Sequence, residues 1–168
     1  MKKIKSNEEI QSSIIKISKE INNDFKGEEI DLIALNDSPK YFINDFIKFL
    51  NLKFRCMSLN FNNYDEKTPS GEVKILKDLE FPIHGRNIIL VDGIIVTGTT
   101  HLYISKYLKQ RSPKSISLLT VGIKRSTLIK EIPKNYSLFK FNNEWVEGYG
   151  FGSDESKRKK YLIDLNQL

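Results

Sequence analysis

Cysteine occurs once, as Cys56, so the chain can form no internal disulfide, which suits a reducing compartment. Together with only two histidines, His84 and His101, it leaves too few ligands for a structural zinc site. Cys56 is therefore expected as a small core residue, and both histidines as structural or exposed. No apolar run approaches the roughly 18 residues of a membrane span. The opening MKKIKSNEEI lacks the apolar centre of a secretory signal, so a cytoplasmic protein with no membrane role is expected. Internal repeats, low-complexity tracts and linkers are also missing, and one domain over 1–168 is expected.

What is present has the balance of a globular domain, 39% apolar and 29% charged, in a chain long enough for a core. The net charge of +6 admits nucleic acid, an anionic surface or a phosphorylated small molecule as partner. A solvated Lys-rich surface is the plain alternative. The densest basic run, Lys157-Arg158-Lys159-Lys160, is short and lacks regular aromatic interleaving, so nucleic-acid binding is the weakest of these expectations.

Ser6 or Asn7 followed by Glu8 and Glu9 predicts a helix start, and Ile10, Ile14, Ile17 and Ile21 supply its apolar face. Residues 30–35 predict a strand interrupted only by Asp31. Ser38 as N-cap and Pro39 as first helical residue open a second helix, with Phe42, Phe46 and Phe49 on its buried side. Strands are predicted over 53–60 and 72–76, with a polar mobile loop over 61–71 between them. A helix over about 99–110 and a strand over 115–122 follow. Shorter strands are expected at 139–141 and 145–146. Strands alternating with helices indicate an α/β domain whose central, mostly parallel sheet is flanked by helices. Ligands of such sheets sit beyond the carboxyl ends of the strands.

Residues 87–100 read NIILVDGIIVTGTT. An apolar strand ends in Asp92, a short apolar link follows, and Thr97-Gly98-Thr99-Thr100 opens the next helix. Free amide groups, the positive end of the helix and close backbone approach at Gly98 make this loop an anion site. A capped helix start is the bland alternative, and for Asp92 a turn acid.

Residues 70–111 resemble the type I phosphoribosyltransferases, most of all the hypoxanthine-guanine branch of purine salvage. The resemblance rests on SGEVKILKDL, on NIILVDGIIVTGTT and on RSPKSI, with weaker similarity through WVEGYG. It implies transfer of ribose-5-phosphate from 5-phosphoribosyl 1-diphosphate (PRPP) to a nucleobase, with Mg²⁺ present. It also implies a mobile loop and a small base-binding hood over the sheet. Homo-oligomers, dimeric or tetrameric, are expected only by this resemblance.

Carried over position by position, it assigns PRPP and its 5′-phosphate to Asp92, Gly93, Val96, Thr97, Gly98, Thr99 and Thr100. Lys124, Trp145 and Val146 match the base site, and Asn36, Asp37 and Arg158 the pyrophosphate positions. Asp92 and Asp154 are the metal candidates, Asp154 lying two residues beyond Gly152, which stands where the family has its metal aspartate. Asn63 and Tyr64 match the pair in the mobile loop. The departures are specific. Gly93 replaces the second of two adjacent acids, and Val96 stands where purine-salvage members have the acid that handles the proton at purine N7. No catalytic residue is therefore assigned. For Lys124 and Arg158 the alternative is a solvated surface cation, and for Trp145 a core aromatic.

Two functions follow. One is a divergent purine phosphoribosyltransferase acting on PRPP and a purine base. The other is a catalytically silent domain that binds PRPP or a nucleotide and regulates a partner.

Overall fold

The computed structural model describes residues 2–63, 72–128 and 131–167. In chain order, β1 (Lys2–Lys5) and α1 (Asn7–Asp24) lead into β2 (Ile30–Leu35) and α2 (Lys40–Phe46). Next come β3 (Phe54–Asn63), β4 (Val73–Lys77), β5 (Asn87–Ile95), α3 (Thr99–Lys109) and β6 (Ser115–Lys124). The chain closes with β7 (Asn135–Phe141), β8 (Val146–Gly148), α4 (Asp154–Lys157) and β9 (Leu162–Asp164).

The central sheet has the order β4-β3-β2-β5-β6-β7. Only β4, on β3, is antiparallel. Its middle strands are continuous apolar runs because both faces are covered. Ile30, Leu32, Ile89 and Val91 meet Ile10, Ile14, Ile17 and Ile21 of α1 and Phe42 and Phe46 of α2 on one face. Ile33, Leu35, Ile88 and Leu90 meet Ile104 and Leu108 of α3 on the other. Burying each such side chain is worth roughly 1.5–3 kcal/mol. Strand β2 leads through α2 to β3 on one side, and β5 leads through α3 to β6 on the other. The chain thus leaves two adjacent strands in opposite directions, and a crevice opens at their carboxyl ends.

Helix α1 starts as its sequence predicts. Ser6 is the N-cap, its hydroxyl accepts from the Glu9 amide at 3.2 Å, and Glu9 accepts from the Ser6 amide at 2.8 Å. Other expectations need correction. Ser38 does not cap α2, which begins at Lys40 with Pro39 at the N-cap position. Phe49 is exposed, because after Phe46 the chain tightens into a 3₁₀ turn over Ile47–Phe49 and loses the 3.6-residue period. Cys56 is exposed on β3 rather than in the core. Of the expected mobile loop, residues 61–63 belong to β3, and 64–71, with Tyr64, lie outside the described residues.

A second, three-stranded antiparallel sheet, β1-β9-β8, forms the hood. Its first strand had no local signal, since KKIK is too short and too charged to alternate visibly. Its partner β9 is supplied by the far end of the sequence. Lys3 and Lys5 lie over the rings of Tyr161 and Phe139, each about 5.0 Å from the centroid, so their stems cover apolar surface. Among the described residues, no helix is long and apolar enough to cross a membrane.

Candidate active site

At the end of β5 the backbone reaches Gly98 at φ 83°, a left-handed conformation that forms the N-cap of α3. Glycine adopts it without the Cβ clash other residues meet. The turn leaves the first amides of α3 without intrahelical acceptors, and no acid stands in that first turn. Thr97 and Thr99 share a hydroxyl contact of 3.0 Å, and the Thr99 amide donates to Thr97 Oγ1 at 3.3 Å. The Thr127 hydroxyl donates to the Val96 carbonyl at 2.5 Å and ties the loop to the connection after β6. Thr97 is exposed and Thr99 and Thr100 are half-buried. The result is a nest of N–H and O–H donors open to solvent, suited to a phosphate.

The strand does not end at Asp92 as expected. It pairs with β6 through Ile95, so Asp92 sits within the ladder. Its Oδ1 accepts from the Gly93 amide at 2.7 Å and lies 3.5 Å from the Ser38 hydroxyl, while Oδ2 meets His101 Nε2 at 2.7 Å. His101 is therefore buried against Asp92, a pairing the sequence reading missed although the two are nine residues apart. In the first turn of α3, this residue reaches back to the strand that precedes the helix. Gly93 is also more than an absent acid. A Cβ there would stand 2.2 Å from a ring carbon of Phe151, so the hood already fills that space.

Beyond Val96 lies a cavity of about 360 Å³ lined by Ile94, Val96, Lys124, Trp145, Val146, Glu147 and Gly152. All three base-site candidates thus share one wall system. Lys124 Nζ lies 5.6 Å from the Trp145 ring centroid, within cation–π range. Trp145 is 59% exposed, an open aromatic face rather than a core residue. Val96 belongs to this cavity and is also the residue before Thr97, so the hollow and the Thr97–Thr100 loop adjoin. Glu147 was missed by sequence reasoning. Its signal lay in the alternation of Trp145-Val146-Glu147 ahead of a glycine. Burial pushes its carboxyl up, but hydrogen bonds from Ser156 and Ser153 outweigh that and hold it below the usual carboxylate range.

The pyrophosphate candidates are more scattered. Asn36 has φ 60°, and its Oδ1 accepts from the Phe61 amide at 2.8 Å, which ties the end of β2 to β3. Asp37 pairs with Lys40 at 3.1 Å. Arg158 lines a basic hollow with Lys157, Lys159 and Lys160, while Asp37 lines a neighbouring one; Tyr41 and Lys157 belong to both. Asp154 pairs with Lys157 at 3.4 Å and is 96% exposed. It does not line the cavity that holds Gly152. Among the described residues, no three His, Cys, Asp or Glu side chains cluster as metal ligands.

A switch-point crevice with a Thr-Gly-Thr-Thr loop, one acid late in β5 and a hollow beside the hood matches the phosphoribosyltransferase architecture. The family model for the phosphoribosyl transferase domain matches residues 1–154, and the chain belongs to that family. Within it, the likeness is to the hypoxanthine-guanine type. The hypoxanthine-guanine phosphoribosyltransferase of Mycobacterium tuberculosis H37Rv is 29% identical over 158 residues, covering 90% of this chain and 78% of that protein. That of Streptococcus thermophilus CNRZ 1066 is 30% identical over 154 residues, covering 91% and 86%. A crystal structure of a hypoxanthine-guanine phosphoribosyltransferase from Bacillus anthracis matches with TM-score 0.93 at 25% identity and covers 98% of both chains.

Proposed function

We propose that this chain is a purine phosphoribosyltransferase of the hypoxanthine-guanine type, a cytoplasmic enzyme that works slowly because it lacks the usual acid beside the base. The observation that carries the reading is the adjacency, through Val96, of the phosphate loop and the cavity of Lys124 and Trp145. Thr97, Gly98, Thr99 and Thr100 take the 5′-phosphate of PRPP, and Asp92 accepts from a ribose hydroxyl. Trp145 stacks on the purine, and Lys124 donates to its 6-oxo group. A ring nitrogen then bonds to the anomeric carbon as pyrophosphate leaves. Val96 neither accepts nor donates the N7 proton, so that proton exchanges with water or substrate, at the expense of general acid–base assistance.

The residues present fit Mg²⁺ only as a substrate-borne ion. Mg²⁺ commonly binds through substrate phosphates, waters and one or two carboxylates, and Asp92, with a quarter of its side chain exposed, is the acid at the crevice. When bound, the ion neutralises charge on the departing pyrophosphate. Asn36, Asp37 and Arg158 remain the proposed pyrophosphate contacts, with Asp154 the weakest metal candidate.

The test is nucleotide formation from PRPP and hypoxanthine, guanine, xanthine or uracil with Mg²⁺. Formation of IMP or GMP is expected. No nucleotide from any base at high enzyme concentration sinks the transferase reading. A second reading, a silent PRPP- or nucleotide-binding regulator, draws on Val96, on Phe151 filling the space at Gly93, and on Gly152. Calorimetry separates the two: tight PRPP or GMP binding without turnover favours the regulator. A homodimer or tetramer is proposed by family likeness, and sedimentation tests it.

A further inference from the structure

We infer that His101 is a positioning residue for the transfer: its hydrogen bond to Asp92 holds that carboxylate at the ribose, in register with the phosphate loop. This rests on the roles proposed for Asp92 and for Thr97–Thr100, and adds what fixes one relative to the other. His101 is the third residue of α3, the helix whose first two residues, Thr99 and Thr100, belong to the loop. Its Nε2 meets Asp92 Oδ2 at 2.7 Å, and the Gly93 amide donates to Oδ1 at 2.7 Å. Each carboxylate oxygen is thus tied, and the plane of the group is set. The third contact, from the Ser38 hydroxyl, is 3.5 Å long, too weak to compete with a ligand hydroxyl. Two firm contacts occupy two of about four lone-pair sites, and 24% of the Asp92 side chain is exposed, so acceptor capacity remains on its open side.

Packing alone does not account for an imidazole here. The ring is buried, and among the described residues its Nδ1 has no hydrogen-bond partner. An unpaired polar atom in the interior costs free energy that an apolar side chain of similar size would not. A hydrogen on Nδ1 would be a buried donor without an acceptor, so the ring donates from Nε2, to Asp92. The polarity of His101 therefore serves Asp92. Without that bond Asp92 keeps the Gly93 amide and turns more freely about its side-chain torsions. A carboxylate that the incoming ribose must first order binds it less well. With the bond in place, the acid and the phosphate donors belong to one rigid unit, α3 docked on β5.

Calorimetry compares GMP with its 2′,3′-dideoxy analogue, which has the same phosphate and base and lacks the ribose hydroxyls. Wild type is expected to prefer GMP by about tenfold or more, the scale of one charge-assisted hydrogen bond. His101→Leu, which fills the ring's place without a donor, is expected to shrink that preference to about threefold or less. Its affinity for the dideoxy analogue stays within about twofold of wild type, since the loop and the hollow keep their own contacts. His101→Gln, whose amide nitrogen can reach Asp92, restores most of the preference. In an Asp92→Ala background, His101→Leu changes the preference no further. If His101→Leu does not fold, His101→Asn, too short to reach Oδ2, replaces it with the same expectation. An undiminished preference in the Leu or Asn variant, or equal losses for both ligands, overturns the inference and leaves the transferase reading intact. Wild type that binds both ligands equally overturns the ribose role of Asp92 and the inference with it. Wild type that binds neither overturns the nucleotide site itself.

Discussion

The two ends of the central sheet treat charge in opposite ways. At the amino ends of the strands, Asp31 is fully buried and is held by Arg55 at 2.5 Å and Arg86 at 2.6 Å. Arg86 also reaches Glu29 at 2.7 Å, Lys114 pairs with Glu28 at 2.6 Å, and Asn87 bonds Glu28 and Ser115. Each polar group there has a partner from a neighbouring strand or loop. At the carboxyl ends, Lys124 has an aromatic ring and, among the described residues, no carboxylate in ion-pair range. The amides at the start of α3 have no intrahelical acceptors, and His101 Nδ1 is buried without a partner. A saturated network locks strands together, whereas unsaturated donors around a hollow are groups available to a ligand.

The largest contrast is expected from removing one acid at each end. Asp31→Ala leaves two guanidinium groups without their shared partner and lowers stability by about 3–5 kcal/mol, read from urea unfolding. Asp92→Ala, which frees His101 and the Gly93 amide, should lower it by about 1–3 kcal/mol, while weakening PRPP binding about tenfold. Equal losses at the two positions would remove the distinction between a structural end and a binding end.

Restoring an acid at the carboxyl end comes next. Val96 is 45% exposed, so Val96→Asp folds normally, and a positioned acid raises kcat for purine transfer by roughly 10–100-fold. A folded but unimproved variant would show that the N7 proton does not limit the rate. Gly93→Asp behaves differently. The new side chain meets Phe151 and destabilises by about 1–3 kcal/mol. Adding Phe151→Ala opens that space, so the double variant should be more stable than the sum of the two single effects. Strict additivity would refute the clash.

The smallest effect is acid sensitivity of the structural ion pairs. Burial pushes the Asp31 carboxyl up, but bonds from Arg55 and Arg86 outweigh it and hold it below the usual range. Arg111 lowers Asp78 to about 2. Such groups bind protons more readily when unfolded. Their stabilisation is complete above about pH 4 and is lost as pH falls through the folded values. Asp78 is substantially exposed, so its share is small. Urea midpoints measured from pH 7 to pH 2 should fall below pH 4, and Asp78→Asn should shallow that fall slightly.

Much of the frame was legible because its causes are local. The Ser6–Glu9 capping box, the isoleucine spacing of α1, the continuous apolar run of β5 and the glycine turn at Gly98 all act within a few residues. The turn over Thr97–Thr100, proposed for the phosphate, was legible for the same reason, and Lys124, Trp145 and Val146, proposed for the base, were picked out through likeness to a family and line one cavity. What was missed depends on residues far apart in the chain. The pairing of β1 with β9, the packing of Phe151 onto Gly93 and the exposure of Cys56 follow from where elements dock. By itself, then, the sequence determined helices α1 and α3, the strands of the central sheet and the glycine turn that opens α3. Only the tertiary structure decided that Asp92 is clamped by His101, that Phe151 fills the space at Gly93, and that Glu147 stands beside Gly152 in the hollow of Lys124 and Trp145. Periodicity and capping are short-range, whereas shared volume and charge pairing exist only once distant segments are packed together.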